Sequence, residues 1–390
     1  MPIDDQPAAA PGPPGAAPEP ASADLLGIPR PRLAEILAPV VDRRFRVDQI
    51  YRALYDRGVC DFAEMTELGK ALRQRLAERF RVELPEIASR RESADGTVKY
   101  LLRLADGASV ETVDIPDGGR RTVCVSSQAG CALACRFCVT GYWGGGRNLT
   151  AGEILAQVLI VRRHKPGEAS PPAASGAEAE AEKSAALTGL NLVFMGMGEP
   201  LLNWDNLRRA LTILIDARSF DIGARRITVS TVGVPERIAE LGETFPQVRL
   251  AVSLHAATDA VRDEIVPINR RYPLRQLLAA CRVWSGSTGK RLTFEVIHLP
   301  GVNDRPEDVV ALGRALKGLP AKINLMRYNP VPGARYRRPT VHETQAFAEA
   351  IRQTTGANVT VRRSRGLDIE GACGQLRLAR GGSVVGAPES

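Results

Sequence analysis

The sequence predicts an α/β protein, a partial (β/α)6 barrel preceded by a small N-terminal α+β accessory domain. Two observations carry this. From residue 121 onward, six short β-branched runs alternate with helical patterns, which argues for a parallel sheet covered by helices. Six such units are too few to close an eight-stranded barrel and suit an open one. Before residue 118 the period differs, helical first and then a hairpin. The 390 residues allow two or three domains and a full hydrophobic core. With 44% hydrophobic and 25% charged residues, the composition excludes wholesale disorder.

Residues 1–22 hold seven prolines and six alanines and have almost nothing to bury, so a disordered tail is expected there. In the accessory domain, 23–118, Phe45, Ile50, Tyr51, Leu54 and Tyr55 recur at helical spacing, as do Leu68, Leu72, Leu76 and Phe80. VKYLLRL and SVETVDI, split by Ala105-Asp106-Gly107, then form a hairpin. The barrel domain is read over 119–380. Its strands are expected at 122–127, 190–195, 226–231, 248–254, 291–297 and 322–328, and its helices at 150–163, 205–218, 234–242, 275–284, 305–317 and 341–354. An Ala-, Pro- and Glu-rich stretch, 164–187, is read as a loop insertion, and 381–390 as a flexible tail.

The net charge is +8, and the tail and the insertion are both acidic, so the body is more basic still. Arginine pairs such as Arg120-Arg121, Arg225-Arg226 and Arg362-Arg363 recur along it. Such a surface attracts polyanions, nucleic acid foremost. No apolar run reaches the roughly 18–20 residues of a membrane span. The opening MPIDDQPAAAPGPPG has neither the basic start nor the apolar stretch of an export signal, so no membrane and a cytoplasmic location are expected.

Four of the seven cysteines fall within residues 124–138. CALACRFC presents Cys131, Cys135 and Cys138 as C-x3-C-x2-C directly after the first barrel strand. A structural zinc site almost always takes four protein ligands, and iron–sulfur clusters ordinarily take four thiolates. Three thiolates suggest a cluster with one iron left open, zinc being the alternative, and Phe137 would shield one side. MGMGEP (195–200) follows the second strand. Its glycines allow close backbone approach and Glu199 can accept from an ammonium, although a plain strand–helix turn has the same composition. Ser230, Ser253-Leu254-His255 and Asn329 end successive strands and together make a ring of donors and acceptors. Cys373, between Gly371 and Gly374, suits a nucleophile better than a core position. Cys60 and Cys281 read as small buried hydrophobes.

The cysteine spacing with an aromatic before the third thiol resembles the signature of the radical S-adenosylmethionine (SAM) superfamily. The combination VETVDIP, TVCVSSQAGCALACRFC, MGMGEPL, STVGV, SLHA, YNPVPGARY and GACGQL resembles the RlmN family of RNA adenine-C2 methyltransferases, and FRVDQIYRALYDRGVCDFAEMTELGKALRQRLAERF resembles its RNA-binding accessory domain. The likeness runs from about residue 25 to 380, outside the two low-complexity stretches.

The resemblance implies that Cys131, Cys135 and Cys138 hold a [4Fe-4S] cluster with one open iron. It implies that Gly198, Glu199, Ser230, Ser253, Leu254, His255 and Asn329 line the SAM site, and that two SAM are used per turnover. Cys373 would carry an S-methyl group, Cys124 would resolve the product through a transient disulfide with Cys373, and Glu111 would be the proton acceptor. The implied partners are 23S rRNA, tRNA and an electron donor such as flavodoxin, with a monomer as the default state. A radical route fits the chemistry, since carbon 2 of adenine has no nucleophilic lone pair for polar methyl transfer. The sister Cfr family, acting on carbon 8, shares the core motifs. A non-catalytic metal-containing RNA-binding protein and a glycyl-radical activase are rivals from other classes, with no evident use for Cys124 and Cys373.

Overall fold

A computed structural model of the chain describes residues 23–142, 144–164, 190–331 and 333–376. The expected tail 1–22, the insertion beyond His164 and the segment 381–390 lie outside these residues.

The core is one ten-stranded sheet whose spatial order follows the chain: β1 (Glu86–Glu92), β2 (Val98–Arg103), β3 (Ser109–Asp117), β4 (Arg120–Cys124), β5 (Leu190–Phe194), β6 (Ile227–Thr231), β7 (Arg249–Ser253), β8 (Leu292–His298), β9 (Ala321–Arg327) and β10 (Asn358–Arg362). β1 to β4 form an antiparallel meander. From β4 to β10 every pairing is parallel. Helices α1 (Arg30–Leu37), α2 (Arg44–Tyr55) and α3 (Lys70–Arg79) precede the sheet, and α4 (Ala151–Arg163), α5 (Trp204–Ile215), α6 (Pro235–Thr244), α7 (Asp259–Ile265), α8 (Leu274–Thr288), α9 (Pro306–Leu316) and α10 (Val341–Thr355) link its parallel strands. The molecule is thus a partial (β/α)6 barrel with a mixed N-terminal region.

Local chemistry sets these boundaries. α4 and α10 open with capping boxes, Thr150 with Glu153 and Thr340 with Glu343, each satisfying two backbone donors that the first turn leaves free. α9 has Pro306 at its first position, where the missing N–H costs nothing. α10 stops at Gly356 in the left-handed conformation.

The structure differs from the sequence reading in five places. The expected accessory hairpin is not a separate sheet, because β3 pairs with β4 over Val113–Asp117 and carries the meander into the barrel. A seventh parallel strand, β10, follows the sixth helix, and β1 and the seven-residue α7 were not anticipated. Phe45 is 53% exposed and Val47 takes the buried place on α2. The accessory helices share the barrel's core: Tyr55 of α2 packs against Phe220, and Arg162 of α4 donates to the Tyr55 carbonyl at 2.7 Å.

Candidate active site

The carboxyl ends of the strands surround a cavity of about 220 Å3, where parallel α/β sheets carry their chemistry. Cys131, Cys135, Cys138, Gly198, Glu199, Ser230, Ser253, His255, Asn329 and Cys373 all line it. Leu254, Cys124 and Glu111 lie outside its lining.

The cysteine loop leaves β4 and is pinned by backbone bonds from Cys131 to Gly144 (3.0 Å) and from Arg136 to Ile265 (3.0 Å). Ala134 adopts a positive φ of 50°, uncommon for a non-glycine residue. Burial pushes the Cys131 thiol up to about 12 and raises that of Cys135 well above its usual value, with the neighbouring thiols adding to both. Three neighbouring thiols, Cys135 buried and Cys131 and Cys138 partly so, would gain their thiolate form from a cationic metal centre. No three Cys, His, Asp or Glu side chains among the described residues close on a single metal ion. A cluster with one thiolate per iron does not need them to converge on a point, so the donor set fits such a cluster rather than a mononuclear site.

Phe137 meets His255 edge-on at 4.5 Å and 71°, coupling the cysteine loop to the end of β7. His255 has φ 59°, and its conformation is held from several sides. Its Nδ1 accepts from the Ile297 amide at 3.2 Å, and its carbonyl accepts from Asn303 Nδ2 at 2.7 Å. Burial drives the imidazole down to about 3, so it is neutral at pH 7.

Gly198 has φ +96°, and a Cβ there would come 2.5 Å from that of Gln128, so the turn into Glu199 requires glycine. The buried Glu199 accepts from the amides of Leu201 (3.0 Å) and Val232 (2.8 Å), which hold it in place. Burial nevertheless raises its carboxyl to about 7. Ser230 and Ser253 face each other at 3.5 Å, and Asn329 Oδ1 accepts from Ser364 at 3.2 Å.

Beyond β10 the chain turns back as a strap, 363–376, toward the meander. Asp368 accepts from Ser93 Oγ (2.5 Å) and the Ala94 amide (3.2 Å), Arg365 pairs with Asp117 (2.8 Å), and the Glu370 carbonyl accepts from Lys99 (3.1 Å). The carbonyls of Gly374 and Leu376 then accept from Val139 (2.8 Å) and Thr140 (2.6 Å) beside the cysteine loop. Cys373 is thereby set on the cavity wall, exposed. The groups packed around its thiol push it up, while the Arg362 guanidinium pulls it down. Cys124 is buried within electrostatic reach of Cys373, and burial raises it to about 12. Glu111, on β3, forms a buried ion pair with Lys99 at 2.9 Å, and its carbonyl accepts from Ser126 Oγ at 2.6 Å.

Sequence reasoning missed Arg262, Asn303, Glu295 and Arg362. Arg262 is 1% exposed and bonds the carbonyls of Val232, Ser253 and Leu254, tying together the ends of β6 and β7. Glu295 carried one available signal, an acid in the middle of the apolar strand LTFEVIH.

Residues 23–82 match the family described as Ribosomal RNA large subunit methyltransferase N-terminal domain, and 162–313 match the Radical SAM superfamily. A protein named Dual-specificity RNA methyltransferase RlmN from Halorhodospira halophila is 46% identical over 354 residues, spanning 90% of this chain and 93% of its own length. The protein of the same name from Anaeromyxobacter dehalogenans is 46% identical over 363 residues, 92% of each chain. The crystal structure of a radical SAM methyltransferase from Sphaerobacter thermophilus superimposes with a TM-score of 0.82 at 42% identity, covering 91% of this chain and 99% of that one.

Proposed function

The chain belongs to the RlmN family of radical SAM RNA methyltransferases, and on that premise we propose that it methylates carbon 2 of an adenosine in 23S rRNA and in tRNA. The observation that carries this reading is the meeting, in one cavity, of the three-cysteine loop, the polar strand ends and Cys373. A binding protein with a structural metal has no need of an exposed thiol strapped into the same space.

Cys131, Cys135 and Cys138 would hold a [4Fe-4S] cluster with an open iron, and Gly198, Glu199, Ser230, Ser253, Leu254, His255 and Asn329 would form the SAM site. When bound there, the cluster and two SAM supply a methyl group and a 5′-deoxyadenosyl radical. Cys373 takes the methyl group on Sγ and presents it, activated by loss of a hydrogen atom, to carbon 2 of the base. Glu111 accepts the proton that carbon 2 gives up, and the odd electron of the adduct would pass back to the cluster. Cys124, as its thiolate, then attacks Cys373 Sγ: a disulfide forms between the two cysteines, the bond from sulfur to the methylene carbon breaks with its electron pair going to carbon, and that carbon takes up a proton to become the new methyl group. The burial of Cys124 within reach of Cys373 supports that role. Residues 23–118 and the basic surface engage folded RNA, from which the target base leaves its stack. A donor such as flavodoxin reduces the cluster, and the enzyme works as a monomer in the cytoplasm.

The test is anaerobic reconstitution of the cluster, incubation with SAM, reductant and unmodified 23S rRNA fragment or tRNA, and mass spectrometry of the digested nucleosides. 2-Methyladenosine in both RNAs is expected. 8-Methyladenosine places the activity with the sister Cfr family, and SAM cleavage without methylated adenosine refutes the RNA assignment.

A further inference from the structure

We infer that Glu295 and Arg362 form the edge of the cavity that reads the 6-amino group and adjacent ring nitrogen of the target adenine. The inference rests on the function proposed above and concerns how the base is recognised.

Glu295 lies in the middle of β8, in register with Ser253 on one side and Asn324 on the other. It is 3% exposed and lines the cavity. Its Oε1 accepts from Asn324 Nδ2 at 2.9 Å, while Oε2 is buried and has no hydrogen-bond partner among the described residues. The nearest cation is Arg362, whose Nη1 is 4.0 Å from Oε2, beyond hydrogen-bonding distance. A buried carboxylate oxygen without a donor is costly, and native sites rarely leave one unless a ligand or water completes it.

The chemistry of the pair selects the ligand. Arg362 also lines the cavity, so the wall offers an acceptor beside a donor. Adenine shows the complement on two edges, an N6 amino donor next to an acceptor at N1 or N7. Guanine would set O6, an acceptor, against the carboxylate. SAM carries an adenine too, but Arg362 lies within electrostatic reach of both Cys373 and Cys124. The amine the pair reads is therefore the one on the base that meets those thiols.

The test is equilibrium binding by the cluster-loaded protein with SAM and no reductant. RNA carrying adenosine at the target position is compared with RNA carrying purine riboside, which has hydrogen in place of the amino group. The wild type is expected to favour adenosine about tenfold or more, the discrimination of a good paired contact. Glu295→Met is expected to shrink that preference to about twofold, with the SAM Kd changed less than about threefold. Glu295→Gln, nearly the same shape, gains a donor and is expected to bind guanosine-bearing RNA several-fold better than the wild type does. Equal wild-type binding of the two RNAs overturns the inference, as does an undiminished preference in Glu295→Met. A weakened SAM Kd with the base preference intact assigns the contact to the cofactor and also overturns it. Reductant added to the same wild-type sample separates the two levels. Methylation without base preference sinks only the inference, whereas no methylation of the adenosine RNA sinks the proposed function and the inference with it.

Discussion

Arg262 offers the sharpest test of how the cavity is held. Its guanidinium donates to Leu254 O at 3.0 Å, Asn269 Oδ1 at 2.7 Å, Ser253 O at 3.2 Å and the Val232 carbonyl. Burial lowers it only to about 10, so it is charged at pH 7. Arg262→Met keeps much of the volume and removes every donor. Each buried acceptor left unsatisfied costs roughly 1–3 kcal/mol, partly offset because the guanidinium itself no longer has to be desolvated. A net loss of about 3–5 kcal/mol follows, in line with breaking a buried charged network. At roughly 2 °C per kcal/mol for a chain of this length, Tm should fall by about 6–10 °C in thermal unfolding followed by circular dichroism. SAM affinity should fall with it, because Ser253 and Ser230 lose their common anchor. A Tm within about 2 °C of wild type, with unchanged SAM binding, would refute the reasoning.

Four further outcomes are expected. Cys124→Ala should accumulate a covalent RNA–Cys373 adduct, visible as a shifted band on a denaturing gel, and normal turnover without the adduct would remove Cys124 from its role. Lys99→Met takes the ammonium from a buried carboxylate and should cost about 3–5 kcal/mol in denaturant unfolding, much of it recovered in Lys99→Met/Glu111→Leu; no recovery would mean that the pair is not the origin of the loss. Glu199 has a folded value near 7 against about 4.3 unfolded, so the folded state holds a proton that the unfolded chain has released. Stability of the SAM-free protein should therefore fall as pH rises from about 4.3 to 7, SAM affinity should rise through pH 7, and both trends should flatten in Glu199→Gln. Asp368→Ala removes the acceptor for Ser93 and Ala94 and should speed amide hydrogen exchange at 371–374; unchanged exchange there would show that the strap is held elsewhere.

The barrel was legible because each unit repeats the same bargain, a β-branched run buried on both faces and a helix with one apolar stripe. The cavity-lining residues that sit on motifs, Cys131, Cys135, Cys138, Glu199 and Cys373, stood out in the sequence because their local pattern is unusual. β10 was hidden because NVTVR is an edge strand with one buried residue, and β1 because EIASRRE is mostly charged and only half-covered. Phe45 misled because helical spacing tells which residues share a face but not which face is covered. Arg262 and Asn303 act on backbone carbonyls brought from distant segments, and no local pattern encodes such partners. Glu111 lies on the strand expected, but its ion pair with Lys99 depends on hairpin register, which sequence alone leaves open.

The strap has a consequence for how the molecule is made. Asp368 and Ser93 are 275 residues apart in the chain, so their contact waits until all the residues between them have been synthesised. Contacts of such separation close late, after the loop entropy between them has been overcome. A nascent chain can therefore pair the meander and most of the sheet while still attached to the ribosome, yet leave the cavity wall without Cys373. Cys373 reaches the cavity wall only once the strap that follows β10 has docked against the meander and the cysteine loop.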